Sequence, residues 1–234
     1  APAATEAPAA EVPATEAKVA PGSVHDKSQY EELTGTKIEK YNEAPSLAEQ
    51  VKAGTLPPVE QRLPEDPVVA VPWNEVGQYG GAIRWDEYTV GYDHYNRHIE
   101  NTYMAFRDAS STTYYNAGLA APDAAKPFII QGWSGNADGT EFTLNLRKGL
   151  KWSDGVEVTS DDWKFRVEDE MLNKDLTPNT PEWLRWNPER KEVTTKVEYP
   201  DKYTVKITFA MPYGAFINEQ MRGGSWPSFL APAH

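Results

Sequence analysis

Phe142-Thr-Leu-Asn-Leu-Arg-Lys-Gly-Leu-Lys-Trp-Ser-Asp-Gly-Val-Glu-Val-Thr-Ser-Asp-Asp-Trp-Lys-Phe165 is the stretch on which the reading of this chain turns. Phe142, Leu144 and Leu146 alternate with Thr143, Asn145 and Arg147, the period-two pattern of a half-buried strand. Asp154-Gly155 is a turn dipeptide, because Gly takes positive φ without steric cost and Asp bonds to backbone nearby. Thr159 or Ser160 then caps a helix whose first turn holds Asp161 and Asp162, favourable at the positive end of the helix dipole. Strand, tight turn, second short strand and capped helix therefore follow one another without a break.

Working outward, residues 193–209 give the clearest hairpin. Val193, Thr195, Val197 and Tyr199 alternate with polar residues, Pro200-Asp201-Lys202 forms a turn, and Tyr203, Val205, Ile207 and Phe209 alternate again. Asp161 to Leu172 reads as a helix, with Trp163, Val167 and Met171 four apart on one face. Ala215 to Met221 is a short helix, and Asn136 to Gly139 is a turn by composition. Ile99 to Arg107 carries Ile99, Tyr103 and Phe106 at helical spacing and is expected to be a helix.

Toward the N-terminus the composition changes. Residues 1–22 are mostly Ala and Pro with spaced Glu and Thr, and no aromatic occurs before Tyr30. Such a segment buries too little apolar surface to offset its ordering entropy and reads as a tether. The chain opens on Ala rather than Met, and the expectation is a processed, mature protein. Residues 23–79 form an extended leader with one short helix, Pro45 to Gly54, opened by Pro and closed by Gly. Asp66 to Pro72 is a short apolar run between prolines, an edge strand or a strap over the core. The third region is 80–234, and no internal repeat is found.

Composition removes several function classes. The formal net charge of −12 argues against a nucleic-acid surface, which needs clustered Lys and Arg. With no cysteine there is no disulfide, no thiolate nucleophile and no Cys-type metal site. No apolar run approaches the length of a membrane-spanning helix.

Candidate chemistry is sparse. Asp154, Asp161 and Asp162 could hold a cation or act as acid and base, but each already has a local structural task as a turn or helix-start residue. His94 and His98 have the four-residue spacing of a zinc pair on a helix, but no third ligand accompanies them. No phosphate-cradling Gly-rich loop is present, and four histidines give no ordered Ser/His/Asp arrangement. Neither a catalytic residue, nor a metal site, nor a cofactor is expected, and the chain is read as a non-enzyme. Trp183 and Trp186, with Tyr203 and Trp226, are aromatics near loops. They suit stacking on peptide side chains or sugar faces, or equally the packing of a small subdomain.

Leu146-Arg147, then Lys151-Trp152-Ser153-Asp154-Gly155, then Thr159 with Asp162 resembles the signature of the family 5 extracellular solute-binding proteins, the peptide, dipeptide and nickel binding components of ABC importers. Tyr199-Pro200-Asp201 with Tyr203-Thr204-Val205 is similar to the family's hairpin. Tyr79-Gly80-Gly81 is similar to its first strand opening, and Ser225 to His234 to a segment in which Pro-x-His follows an apolar run. The resemblance covers 80–234 well and 41–72 loosely.

The resemblance implies an α/β fold of the periplasmic-binding-protein type (class II, two-lobed). It further implies that this chain is the N-terminal portion, with a mixed sheet and flanking helices, and that the second lobe is absent from it. The implied function is extracytoplasmic binding of an oligopeptide-like solute for delivery to an ABC permease on lobe closure. By position in the family, the loop containing Val90, Gly91, Tyr92 and Asp93 reaches the ligand and pairs main chain with it. Together with Trp183 and Trp186 these are the expected ligand-binding residues. The Ala/Pro tether looks like those that follow the lipid-modified cysteine of surface lipoproteins, which implies a membrane-tethered, extracytoplasmic location. Two alternatives stay open. One is a structural or assembly subunit that reuses a truncated solute-binding scaffold, with residues 1–22 ordered by a protein partner. The other is an oligosaccharide-binding protein, motivated by Trp content and acidity.

Overall fold

The computed structural model describes residues 19–80, 105–107, 125–221 and 229–234. Eight strands are defined among them: β1 (Val24–Asp26), β2 (Val68–Ala70), β3 (Ala105–Arg107), β4 (Ala125–Pro127), β5 (Ile130–Gly135), β6 (Glu141–Leu146), β7 (Lys196–Asp201) and β8 (Thr204–Thr208). Four α-helical segments accompany them: α1 (Lys27–Thr34), α2 (Pro45–Lys52), α3 (Val59–Arg62) and α4 (Ser160–Lys164). Two π-helical turns, Phe165–Met171 and Ile217–Met221, and a 3₁₀ turn, Glu182–Arg185, complete the set.

The core forms on a four-stranded antiparallel sheet of order β5-β6-β8-β7. The alternation in β6 places Phe142, Leu144 and Leu146 on the buried side, and the register sets Leu144 opposite Val205 and Phe142 opposite Ile207. Cross-strand pairs of this kind are the unit from which a sheet gains stability. Trp163, Val167 and Met171, expected on one helical face, are all buried in the same cluster with Trp183, Phe216 and Phe229. The helix that carries them changes type midway: α4 passes into the π-helical turn at Phe165. Spacing by four keeps a common face in either helix, so the pattern survives the change.

The start of α4 is a capping box. Thr159 Oγ1 accepts from Asp161 N at 3.2 Å, and Asp162 Oδ2 accepts from Thr159 N at 2.8 Å. Asp162 is itself buried, and its Oδ1 accepts from Ala233 N at 2.9 Å, tying the C-terminal residues to the helix start.

Several sequence expectations are corrected. Residues 105–107, expected to end a helix, form β3, paired antiparallel with β4; the backbone bonds of that pairing outweigh helical spacing in a three-residue stretch. In the hairpin, residues 193–195 precede the strand, and the connection is Lys202-Tyr203 rather than Pro200 to Lys202. Pro200 lies within β7, at a bulge where the register slips between Glu198 and Asp201. A bulge leaves a residue out of the ladder, so the missing Pro N–H costs no hydrogen bond.

The leader holds three short helices rather than one. β1 pairs antiparallel with β2, and Gly22 N donates to Val71 O at 2.9 Å, so chain expected in the tether joins this ribbon from Val19 onward. Residues 1–18 of the tether lie outside the described residues. α1 lacks a cap from Asp26; Asp66 supplies it from far along the chain, accepting from Ser28 N at 2.9 Å and Ser28 Oγ at 2.6 Å. Arg147, at the end of the signature strand, is 2% exposed and clamps the ribbon to the sheet. Its Nη2 pairs with Asp26 Oδ1 at 2.7 Å, its Nε donates to Phe128 O at 2.6 Å, and its Nη1 donates to Asp66 O. Gln131, the bulge residue of β5, adds a 3.3 Å bond to Asp66 Oδ2.

Candidate functional site

A recess of about 570 Å³ opens beside the core where four segments meet. The π-helical turn 165–171 contributes Arg166, the loop after it Thr177 and Asn179, the 3₁₀ turn Glu182 and Trp183, and the second π-helical turn Gln220; Phe229 closes one side. That volume falls in the range of small-molecule sites.

Local bonding explains how these side chains are held. Pro181 precedes the 3₁₀ turn, and the turn is fastened to the entry of β7: Thr194 N and Thr195 N both reach Leu184 O at 3.1 Å, and Thr195 Oγ1 donates to Trp183 O at 2.6 Å. Trp183 is 3% exposed and packs against Phe229 and Phe216 at ring-centroid separations of 5.3 and 6.1 Å. Its indole Nε1–H has no acceptor in the described structure although it is buried. An unpaired buried donor of this kind costs free energy in the folded state.

The charges at the rim are matched within the chain. Arg166 pairs with Glu170, and Glu182 Oε1 lies 3.3 Å from Arg190 Nε. Gln220 Nε2 donates to the Tyr213 hydroxyl at 3.0 Å, which in turn donates to Glu219 Oε2 at 2.9 Å. Burial first, then the bond to Glu219, pushes the Tyr213 phenol well above its usual range, so it remains a hydroxyl at any physiological pH.

Trp186 sits outside the recess with both faces covered. Tyr213 stacks on one at a centroid separation of 3.5 Å and 5° between planes, and the Arg190 guanidinium lies 3.5 Å from its ring centroid. Its Nε1 donates to Pro212 O at 3.0 Å. Trp183 and Trp186 are therefore brought within one turn of chain but do different things: one is a recess wall, the other a stacked brace. Val90, Gly91, Tyr92 and Asp93 lie outside the described residues, as do His94, His98 and Trp226. Arg166, Asn179, Gln220 and Phe229 carry no motif, and only folding brings them together. The one sequence hint is the Thr177-Pro178-Asn179-Thr180-Pro181 loop, whose prolines fix an extended rim.

No group of three or more His, Cys, Asp or Glu side chains placed to hold a metal occurs among the described residues. No helix among them is long and apolar enough to cross a membrane.

Residues 124–231 match the model of the bacterial extracellular solute-binding proteins, family 5, middle region. The periplasmic alpha-galactoside-binding protein of Rhizobium meliloti (strain 1021) is 30% identical over 206 residues, which is 76% of this chain and 28% of that protein. Among solved structures, an oligopeptide-binding protein OppA is similar with a TM-score of 0.72 and 36% identity, over 91% of this chain and 30% of that one. The periplasmic binding protein MelB of Agrobacterium fabrum C58, solved in complex with stachyose, is similar with a TM-score of 0.62 and 26% identity, over 96% of this chain and 33% of that one. The chain thus spans about a third or less of the length of these proteins. The α/β, periplasmic-binding-protein architecture expected from the signature is the architecture of these neighbours.

Proposed function

Because this chain belongs to the bacterial extracellular solute-binding proteins of family 5, we propose that it is part of a component that captures an extended polar solute outside the cytoplasm and delivers it to an ABC permease. The observation that carries this reading is the likeness to OppA across 91% of the chain, at an identity high enough to speak for more than fold. Such capture requires binding and domain closure, not bond making.

An oligopeptide is the first ligand class, supported by that same likeness. An oligosaccharide is the second, supported by the likeness to the alpha-galactoside-binding protein and to the stachyose complex. Val90, Gly91, Tyr92, Asp93, Trp183 and Trp186 remain the proposed ligand-side residues, with Trp183 acting through the recess wall. A membrane tether through an N-terminal lipid is proposed on the Ala/Pro composition of residues 1–22 alone. Calorimetry of the full-length protein against a mixed peptide pool and against stachyose tests the reading. Saturable binding to either supports solute capture; no heat with either removes it.

A further inference from the structure

We propose that the strap formed by residues 229–234 ends in a proton-operated clasp, in which the His234 imidazole grips the Asp154 carboxylate and holds the strap more tightly as the surroundings acidify. The contact joins two motifs that solute capture leaves unused, the Ser153-Asp154-Gly155 turn of the signature and Pro232-Ala233-His234. They lie 80 residues apart in sequence and meet at 2.6 Å, between His234 Nε2 and Asp154 Oδ2. No ligand is needed for the device to work.

The strap is fixed at one end and polar at the other. Phe229 and Leu230 are buried, and the Phe229 ring packs on Trp163 and Trp183 at centroid separations of 5.1 and 5.3 Å. Beyond them Pro232 has no N–H to give, Ala233 N donates to Asp162 Oδ1 at 2.9 Å, and His234 makes the last contact. Asp154 is already oriented to receive it, because its Oδ1 accepts from Val156 N at 3.0 Å.

Of the charged groups on the elements beneath the strap, only the imidazole ordinarily changes its charge between about pH 8 and 5. The turn carries Lys151, bonded to Gln61 O, and Glu157, bonded to Lys202 and Tyr203; α4 carries Asp161, Asp162 and Lys164. The bond from Val156 N, then that from His234, holds the Asp154 carboxyl below its ordinary 3.8, so it stays charged while the imidazole gains its proton. A neutral imidazole protonated on Nε2 still donates, but a charge-assisted bond is roughly twice as strong. The grip therefore tightens as pH falls through the imidazole range, and it is lost only as pH falls on through the lowered value of Asp154. The two side chains are 38% and 52% exposed, so the gain is modest and screened by salt.

The test is amide exchange of the full-length protein without ligand, at low salt, from about pH 8 to about pH 5.5. Rates are expressed as protection factors, which removes the intrinsic pH dependence of exchange. The reporter is the Ala233 amide, with Leu144 in β6 as internal reference. Wild-type protection at Ala233 should rise about threefold relative to Leu144 across that range, as for an exposed charge pair. His234→Gln keeps a neutral donor and removes the titration; Asp154→Asn keeps an acceptor for Val156 N and removes the charge. Both positions are partly exposed, so neither change disturbs the core, and the rise should be absent in each. A flat wild-type profile would overturn the clasp. A rise that survives in His234→Gln would overturn the imidazole as its switch, and one that survives in Asp154→Asn would overturn Asp154 as its partner.

Discussion

The buried hydrophobic side chains of the core lie between Ile129 and Leu230, and only Val19 and Pro67 are buried in the described chain before them. The leader, residues 23–79, has three helices without one buried residue. Its attachments are polar instead: the Asp26–Arg147 pair, the Arg147 Nη1 bond to Asp66 O, Glu65 N to Lys148 O at 3.1 Å and Lys151 Nζ to Gln61 O at 2.6 Å. One region gains its stability from apolar burial, which is non-directional and distributed over many contacts. The other hangs on a few directional bonds, most of them made to one stretch, 147–151, of the same signature. A region held that way should open locally well below the free energy of global unfolding.

The comparison can be broken most severely in the core. Trp163→Ala removes a fully buried indole from the contact with Phe229, where ring centroids are 5.1 Å apart. A loss of about 3–5 kcal/mol is expected in chemical denaturation of the chain. A loss under about 1 kcal/mol would mean that the cluster is not the source of stability. Next in size, Arg147→Met leaves the Asp26 carboxylate without its partner. Breaking such a pair costs about 3 kcal/mol when both groups are buried, and less here because the Asp26 side chain is 16% exposed. The distinctive readout is regional: amide exchange in residues 24–70 should accelerate while β6 and β8 stay protected. Uniform acceleration across both regions would show that leader and sheet unfold as one unit. Thr159→Ala is smaller, about 1 kcal/mol, since it removes one cap bond while Asp162 keeps its bond to the Thr159 backbone.

What was legible in the sequence follows the same division. Phe142 to Leu146 and Tyr203 to Phe209 announce their buried face, because a sheet with one face covered must alternate. Thr159 and Asp162 announce the cap, because that bonding is local. Arg147 reads only as the polar end of a strand: its partners Asp26 and Asp66 are far off in sequence, and no period connects them. The bulge at Pro200 escapes for a related reason, since turn composition favours Pro-Asp while the strand register places the connection two residues on. The recess is the extreme case. Trp183 is visible as an aromatic, but that it faces the core while Trp186 is sandwiched by Tyr213 and Arg190 depends on three segments meeting.

The smallest expected effect sharpens the contrast between buried and exposed polar bonds. Glu157 accepts from Lys202 Nζ and from the Tyr203 hydroxyl, each at 2.5 Å, and joins the second short strand of the signature to the β7–β8 connection. The bond to Lys202, then that to Tyr203, holds the Glu157 carboxyl below its ordinary 4.5. A carboxyl lowered in the folded state adds stability above its unfolded value, and that stability is lost as pH falls through the lowered value. The Lys202 side chain is 53% exposed, however, so solvent and salt screen the pair in a way they cannot screen Arg147. Glu157→Gln should therefore shift the urea midpoint less than Thr159→Ala at neutral pH and low salt. The shift should vanish in high salt, and again once pH falls below the lowered value of the Glu157 carboxyl, where both proteins carry an uncharged group at this position. A midpoint difference that persists under acid would assign the effect to packing around Tyr203 and not to charge. A shift as large as that of Arg147→Met would show that exposure does not divide the two classes of bond in this molecule.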